Sequence, residues 1–201
     1  MDAFNLLKAD HRKVEDLFSQ LEAARGQAKL RVFDQIKTEL DLHAHIEEKI
    51  FYPALEKPRQ THELTLEAYE EHEVVKKLLR ELSKAKTAND EWQAQAEVLQ
   101  ENVEHHVQEE ENELFKKASK ALSEEEIGEL GELLAAEKNR KQKSAAGKSA
   151  SAKKGASKSA SKTKSASTAA KRTRSQATKK GGSKKAASGS KSRSRKTATK
   201  K

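Results

Sequence analysis

Four times between Asp2 and Ala118 the apolar residues of this chain recur at alternating steps of three and four, and each time a histidine interrupts the series. That period puts the recurring positions on one face of an α-helix. The first stripe is Phe4, Leu7, His11, Val14, Phe18 and Leu21, and the second is Phe33, Ile36, Leu40, His43, Glu47, Ile50 and Ala54. The third is Ala68, His72, Val75, Leu79 and Leu82, and the fourth is Trp92, Ala96, Leu99, Val103, His106, Glu110 and Leu114. Apolar stripes of this kind must be buried against one another, so the fold is all-α. Asp2, the pair Asn89-Asp90 and the capping box Ser123-Glu124-Glu125-Glu126 supply helix starts, while Gly26 supplies a stop. Long helices over about 2–25, 29–54, 62–85 and 89–118, joined by short loops, predict an up-down-up-down four-helix bundle. A shorter fifth helix carries Ile127, Leu130, Leu133 and Leu134, is weakened by Gly128 and Gly131, and fades by about Glu137.

Charge divides the chain. Residues 1–137 hold all 32 acidic residues against 18 Lys and Arg, a net −14, whereas residues 138–201 hold 23 Lys and Arg and no acid, a net +23. This predicts a bundle domain at 1–120, the short extra helix at 121–137, and a basic tail at 138–201. The tail has no aromatic and no branched aliphatic residue, so it cannot bury enough apolar surface to offset its chain entropy and is expected to be disordered. With no cysteine, thiolate metal sites and cysteine nucleophiles are excluded. The chain also lacks a Gly-rich phosphate loop and a Gly-x-Ser-x-Gly turn. Neither a signal peptide pattern nor a bilayer-length apolar run is present, so a cytoplasmic location is expected.

Six polar residues stand on stripes that point inward: His11, His43, Glu47, His72, His106 and Glu110. In two helices the pair is His-x-x-x-Glu, which stacks the two side chains on one face. A buried carboxylate is costly unless it is paired or binds a metal. Four imidazoles and two carboxylates exceed what one tetrahedral zinc takes, and they suit two iron ions with bridging carboxylates. Glu48 and Glu109, one position away, read as outer groups able to hydrogen-bond a ligand imidazole, and they exchange roles with Glu47 and Glu110 if the register shifts by one. Tyr52 and Tyr69 read as packing residues near this layer.

The residues Leu7-Lys8-Ala9-Asp10-His11, His43-Ala44-His45-Ile46-Glu47-Glu48 leading to Phe51-Tyr52-Pro53, Glu70-Glu71-His72, and His105-His106-Val107-Gln108-Glu109-Glu110 leading to Leu114-Phe115 resemble a hemerythrin-like domain, the type named for its His-His-Glu cation-binding pattern. The resemblance covers residues 1–120. It implies a four-helix bundle around a carboxylate-bridged, non-haem di-iron centre that binds or senses oxygen, peroxide, nitric oxide or iron. Two departures from the oxygen carriers stand out. Carriers have two histidines one turn apart on the third helix, whereas the neighbours of His72 at that spacing are Ala68 and Lys76. Carriers also have an aspartate five residues after the last histidine, where this chain has Glu110 four residues after His106. One histidine fewer favours sensing, redox or iron-handling roles over oxygen carriage, and leaves open a peroxidase- or catalase-like di-iron oxidoreductase.

The Lys/Ser/Ala repeats of the tail resemble those of linker histones and bacterial histone-like proteins. Dense cations on small spacers predict binding to DNA through its phosphates, without base readout and with steep salt dependence, and so a nucleoid-associated protein. A DNA-compacting protein whose bundle is mainly structural is the remaining alternative.

Overall fold

The computed structural model describes the backbone of residues 1–160 and the side chains of residues 1–144. Among the described residues every regular element is helical: α1 (Ala3–Ala23), α2 (Gln27–Ile46), α3 (Tyr52–Leu55), α4 (His62–Leu82), α5 (Asp90–Glu109), α6 (Phe115–Ala121) and α7 (Glu124–Ala160). No helix among them is long and apolar enough to cross a membrane. The starts are capped as the sequence predicts. The Asp2 carboxylate accepts from the Asn5 amide, the Asn89 side chain accepts from the Trp92 amide, and Ser123 and Glu126 bond each other's backbone reciprocally. Gly26 turns the chain at φ +54°, in the left-handed region that favours glycine. The α1/α2 hairpin then packs beside the α4/α5 hairpin, completing the four-helix bundle.

α2 and α3 form one continuous arm, as do α5 and α6, and in each a π-helical turn joins the two parts: Glu47–Phe51 in one, Glu110–Leu114 in the other. These turns correct the second stripe as read from sequence. On α geometry, at about 100° per residue, Tyr52 would lie about 140° round the helix from Glu47. The wider turn absorbs the equivalent of one extra residue, so Phe51, Tyr52 and Leu55 are fully buried while Ile50 and Ala54 are only partly so. In the other arm the same shift buries Phe115 and Ala118 beside Leu114. Both π turns begin at a glutamate of the inward stripe.

The core lies in two apolar blocks. One contains Val14, Phe18, Phe33, Leu40, Val75, Leu79, Trp92 and Val103; the other contains Leu7, Ile46, Phe51, Tyr52, Ala68, Leu114 and Phe115. On each arm the six inward polar residues lie where these blocks meet, with Ile46 of the second block between His43 and Glu47, and all six are buried.

α7 closes against the second block through Ile127 and Leu134. Gly131 is what permits this approach. A Cβ there would stand 2.5 Å from the Met1 carbonyl oxygen and 2.8 Å from the Ala3 nitrogen, whereas a Cβ at Gly128 would meet nothing within 4 Å. Gly131→Ala is therefore expected to destabilise the bundle by about 1–3 kcal/mol through overpacking. Gly128→Ala should stabilise it by up to about 1 kcal/mol through helix propensity. Thermal unfolding followed by circular dichroism checks both; equal shifts of one sign would contradict the account.

The sequence expectation that this helix fades by about Glu137 needs correction, because α7 continues to Ala160. Ala and Lys are strong helix formers, and Glu137 anchors the helix by accepting from Lys49 at 2.8 Å and pairing with His45 at 2.7 Å. Arg140, Lys49 and His45 hold the Glu137 carboxyl well below the usual carboxylate range. Of the tail expected to be disordered over 138–201, residues 138–160 belong to this helix, and residues 161–201 lie outside the described residues.

Candidate metal centre

Four imidazoles meet in two pairs. The Nε2 atoms of His11 and His43 are 3.1 Å apart, and those of His72 and His106 are 3.2 Å apart. Glu47 stands between the pairs, with Oε1 3.2 Å from His43 Nε2 and Oε2 3.4 Å from His72 Nε2. Glu110 lies with Oε2 3.2 Å from His11 Nε2, while its Oε1 accepts from the Tyr52 hydroxyl at 3.4 Å. That hydroxyl is also 3.3 Å from His72 Nε2. Tyr52 thus reaches this layer directly, where the sequence suggested packing; the signal for it is the π turn, which the apolar periodicity does not reveal.

A second layer of carboxylates faces the outer nitrogens. His11 Nδ1 is 2.7 Å from Glu111 Oε1, His72 Nδ1 is 2.9 Å from Glu48 Oε1, and His106 Nδ1 is 2.7 Å from Glu71 Oε2. His43 Nδ1 faces Asp10 Oδ2 at 3.7 Å. The pattern is a pseudo-twofold: the residue before His11 and His72 backs His43 and His106, and the residue after Glu47 and Glu110 backs His72 and His11. Of the two outer glutamates expected from sequence, Glu48 takes this position. Glu109 does not; it lies 3.5 Å from the exposed His105, and Glu71 and Glu111 stand at the imidazoles instead. Choice among adjacent glutamates depends on the rotation of each helix against its neighbours, which spacing within one helix does not contain. His45 meets Glu137, and His62 meets the Glu56 carbonyl at 2.9 Å.

These residues suit cations. A carboxylate at Nδ1 keeps the imidazole proton there and directs the Nε2 lone pair inward. Two inward lone pairs about 3 Å apart repel unless a proton or a metal ion stands with them. Both oxygens of Glu47 and Oε2 of Glu110 are buried and accept no hydrogen bond, which is costly without a positive charge to face. Burial pulls the His43 imidazole down, but Glu47, Asp10 and Glu110 together raise it to about 10. Burial acts likewise on His72, which Glu47 and Glu48 raise to about 9. Burial pushes Glu47 up, and His43 and His72 more than offset it, holding its carboxyl well below the usual range. A metal ion entering beside His43 and His72 would therefore have to displace protons from them. Within this layer two groups of donors within 4.8 Å of one another could each hold an ion: His11, His43, Glu47 and Glu110, and Glu47, His72 and His106.

A cavity of about 20 Å³ adjoins the imidazoles, walled by all four histidines and by Val14, Leu40, Val75, Leu79, Val103 and Val107 among others. It has room for a water-sized molecule. His11, Val14, Val103 and Val107 also line a groove of about 440 Å³ with the polar residues Arg12, Gln108 and Asn112.

The family described as Hemerythrin HHE cation binding domain matches residues 2–118. A crystal structure of a Hemerythrin HHE cation binding domain-containing protein from Mycobacterium kansasii superposes with a TM-score of 0.66 at 26% identity, covering 74% of this chain and 91% of that one. A protein of Nostoc sp. named DNA nickase is 28% identical over 148 residues, which is 73% of this chain and 42% of the relative. The chain therefore spans less than half the length of that curated relative. With the family pattern matched over residues 2–118 and the histidine–glutamate layer at the centre of the bundle, the chain belongs to the hemerythrin HHE cation-binding family.

Proposed function

We propose that the chain holds a non-haem pair of iron ions and uses it to bind, sense or process a small oxidant or iron itself, while its basic tail keeps it on DNA. The observation that carries the reading is Glu47. Its two buried oxygens face opposite histidine pairs and accept no hydrogen bond, as a carboxylate shared by two cations would. His11, His43 and Glu110 would complete one ion's protein donors, and His72 and His106 the other's. Bound there, iron supplies redox chemistry and Lewis acidity toward oxygen, peroxide or nitric oxide.

The surrounding residues prepare that chemistry. Glu48, Glu71 and Glu111 orient three of the imidazoles and hold their Nδ1 protons, while Asp10 faces the fourth at 3.7 Å. The His72/His106 side carries the Tyr52 hydroxyl, 3.3 Å from His72 Nε2, which would stand beside a small ligand bound there. Val14, Val103 and Val107, shared by groove and cavity, restrict what passes to small molecules. The 23 Lys and Arg of residues 138–201 and the name of the Nostoc relative support the DNA half of the reading.

Anaerobic loading with ferrous iron, metal counting and optical spectroscopy test the metal half. About two irons per chain and azide-dependent charge-transfer absorption after air exposure are expected. Zinc at one per chain, or no metal, would defeat the reading and leave a mainly structural bundle. Rapid peroxide consumption by the loaded protein, far above that of free iron, would make it an oxidoreductase.

A further inference from the structure

The fourth carboxylate of the outer layer departs from the other three. Glu48, Glu71 and Glu111 each lie within 2.9 Å of an imidazole Nδ1, but Asp10 Oδ2 stops 3.7 Å short of His43 Nδ1. Both of these atoms are buried and without a hydrogen-bond partner. The other oxygen of Asp10 accepts from the ammonium of Lys138 on α7. Outer basic side chains also meet the three glutamates: Lys76 is 2.7 Å from Glu48, His105 is 3.5 Å from Glu71, and Lys8 is 3.9 Å from Glu111. A glutamate has the length to satisfy an imidazole while it meets such a group. Asp10 is one methylene shorter, and here it meets the lysine and misses the histidine.

We propose that Lys138 is a positioning residue for the metal centre: it holds Asp10 back from His43, so that docking of α7 sets how strongly the outer nitrogen of His43 is hydrogen-bonded. The inference rests on the metal-centre reading above. It adds an element beyond residues 2–118, the span that the family pattern matches. α7 is held in place to do this. Leu134 is fully buried, Gly131 lies against the start of α1, and Glu137, next to Lys138, is bonded by Lys49 and paired with His45.

The consequence has a sign. Without Lys138, the Asp10 carboxylate would close on the adjacent His43 Nδ1–H, because a buried carboxylate left unpaired is costly. A stronger bond from Nδ1–H to a carboxylate makes the imidazole a more basic ligand. A more basic ligand favours ferric over ferrous iron. Lys138→Met should therefore keep two irons per chain and lower the reduction potential by the equivalent of about a tenfold relative stabilisation of the ferric state, about 59 mV for one electron.

The test is a redox titration of the iron-loaded full chain, followed optically, for the wild type, Lys138→Met, Lys138→Arg, Asp10→Asn and the Asp10→Asn/Lys138→Met double variant. Circular dichroism of each metal-free protein reports folding. Expected are a lowered potential for Lys138→Met, the wild-type value for Lys138→Arg, and no further change when Lys138→Met is added to Asp10→Asn. An unchanged potential in folded, two-iron Lys138→Met would overturn the inference alone, as would the same shift in the Asp10→Asn background. A wild type that takes up no iron would overturn the metal-centre reading and this inference with it.

Discussion

Glu47→Gln is expected to reduce the iron taken up from about two ions per chain to at most one, with the largest loss of metal affinity of any single substitution in the layer. Replacing a group that merely backs a ligand already costs about 10–100-fold in metal affinity. Glu47 touches both histidine pairs, and its loss removes the one carboxylate common to the two donor groups. Glutamine keeps the volume, so the apolar blocks on either side remain packed. It removes the negative charge that helps keep His43 and His72 protonated in the metal-free protein. Metal counting after anaerobic loading and gel filtration checks the outcome. Two irons per chain in folded Glu47→Gln would mean that the shared carboxylate is not a ligand. Glu109→Gln is the matching control, since Glu109 pairs with exposed His105, and it should retain both irons.

Removing residues 145–201 is expected to abolish measurable binding to duplex DNA at physiological salt. This truncation deletes 19 Lys and Arg and no acid, and it spares Lys138 and Arg140. What remains carries 22 Lys and Arg against 32 Asp and Glu, a net −10 that repels a phosphate backbone. For the full chain, affinity should fall by roughly 10³–10⁵ between 50 and 200 mM salt if about 6–10 phosphates are neutralised. It should be indifferent to base sequence, because phosphate contacts carry no sequence information. Mobility shifts across a salt series, with and without residues 145–201, measure both effects. Binding retained by the truncated chain would move the DNA contact onto the bundle and refute the tail's assigned role.

The iron count should be the same in the truncated and full-length proteins, since every donor lies between His11 and Glu110. The two halves of the proposed function can thus fail separately.

The helices, their caps and the order of the four arms were legible in the chain because burial at a period of 3.6 residues is written locally. A side chain's place on its own helix follows from counting. For the same reason His11, His43, Glu47, His72, His106 and Glu110 could be singled out, as polar residues at positions where a stripe should be apolar. By propensity alone Gly131 is a weak point of its helix; the close approach of the α1 start is a fact of another segment.

What only the tertiary structure decided lies between helices. The two π turns shift the register by one residue and carry Tyr52 and Phe115 inward, and packing of neighbouring arms rather than local propensity stabilises such a turn. Glu71 and Glu111 stand at imidazoles while Glu109 does not, because that choice depends on the rotation of one helix against the next. Asp10 meets a lysine 128 residues away on α7, a contact that no pattern within either segment contains. Amphipathic periodicity by itself determined the bundle and its polar layer; the partners around each imidazole were set only when the helices met, because a carboxylate's reach is a few ångströms and its direction is fixed by the packing that surrounds it.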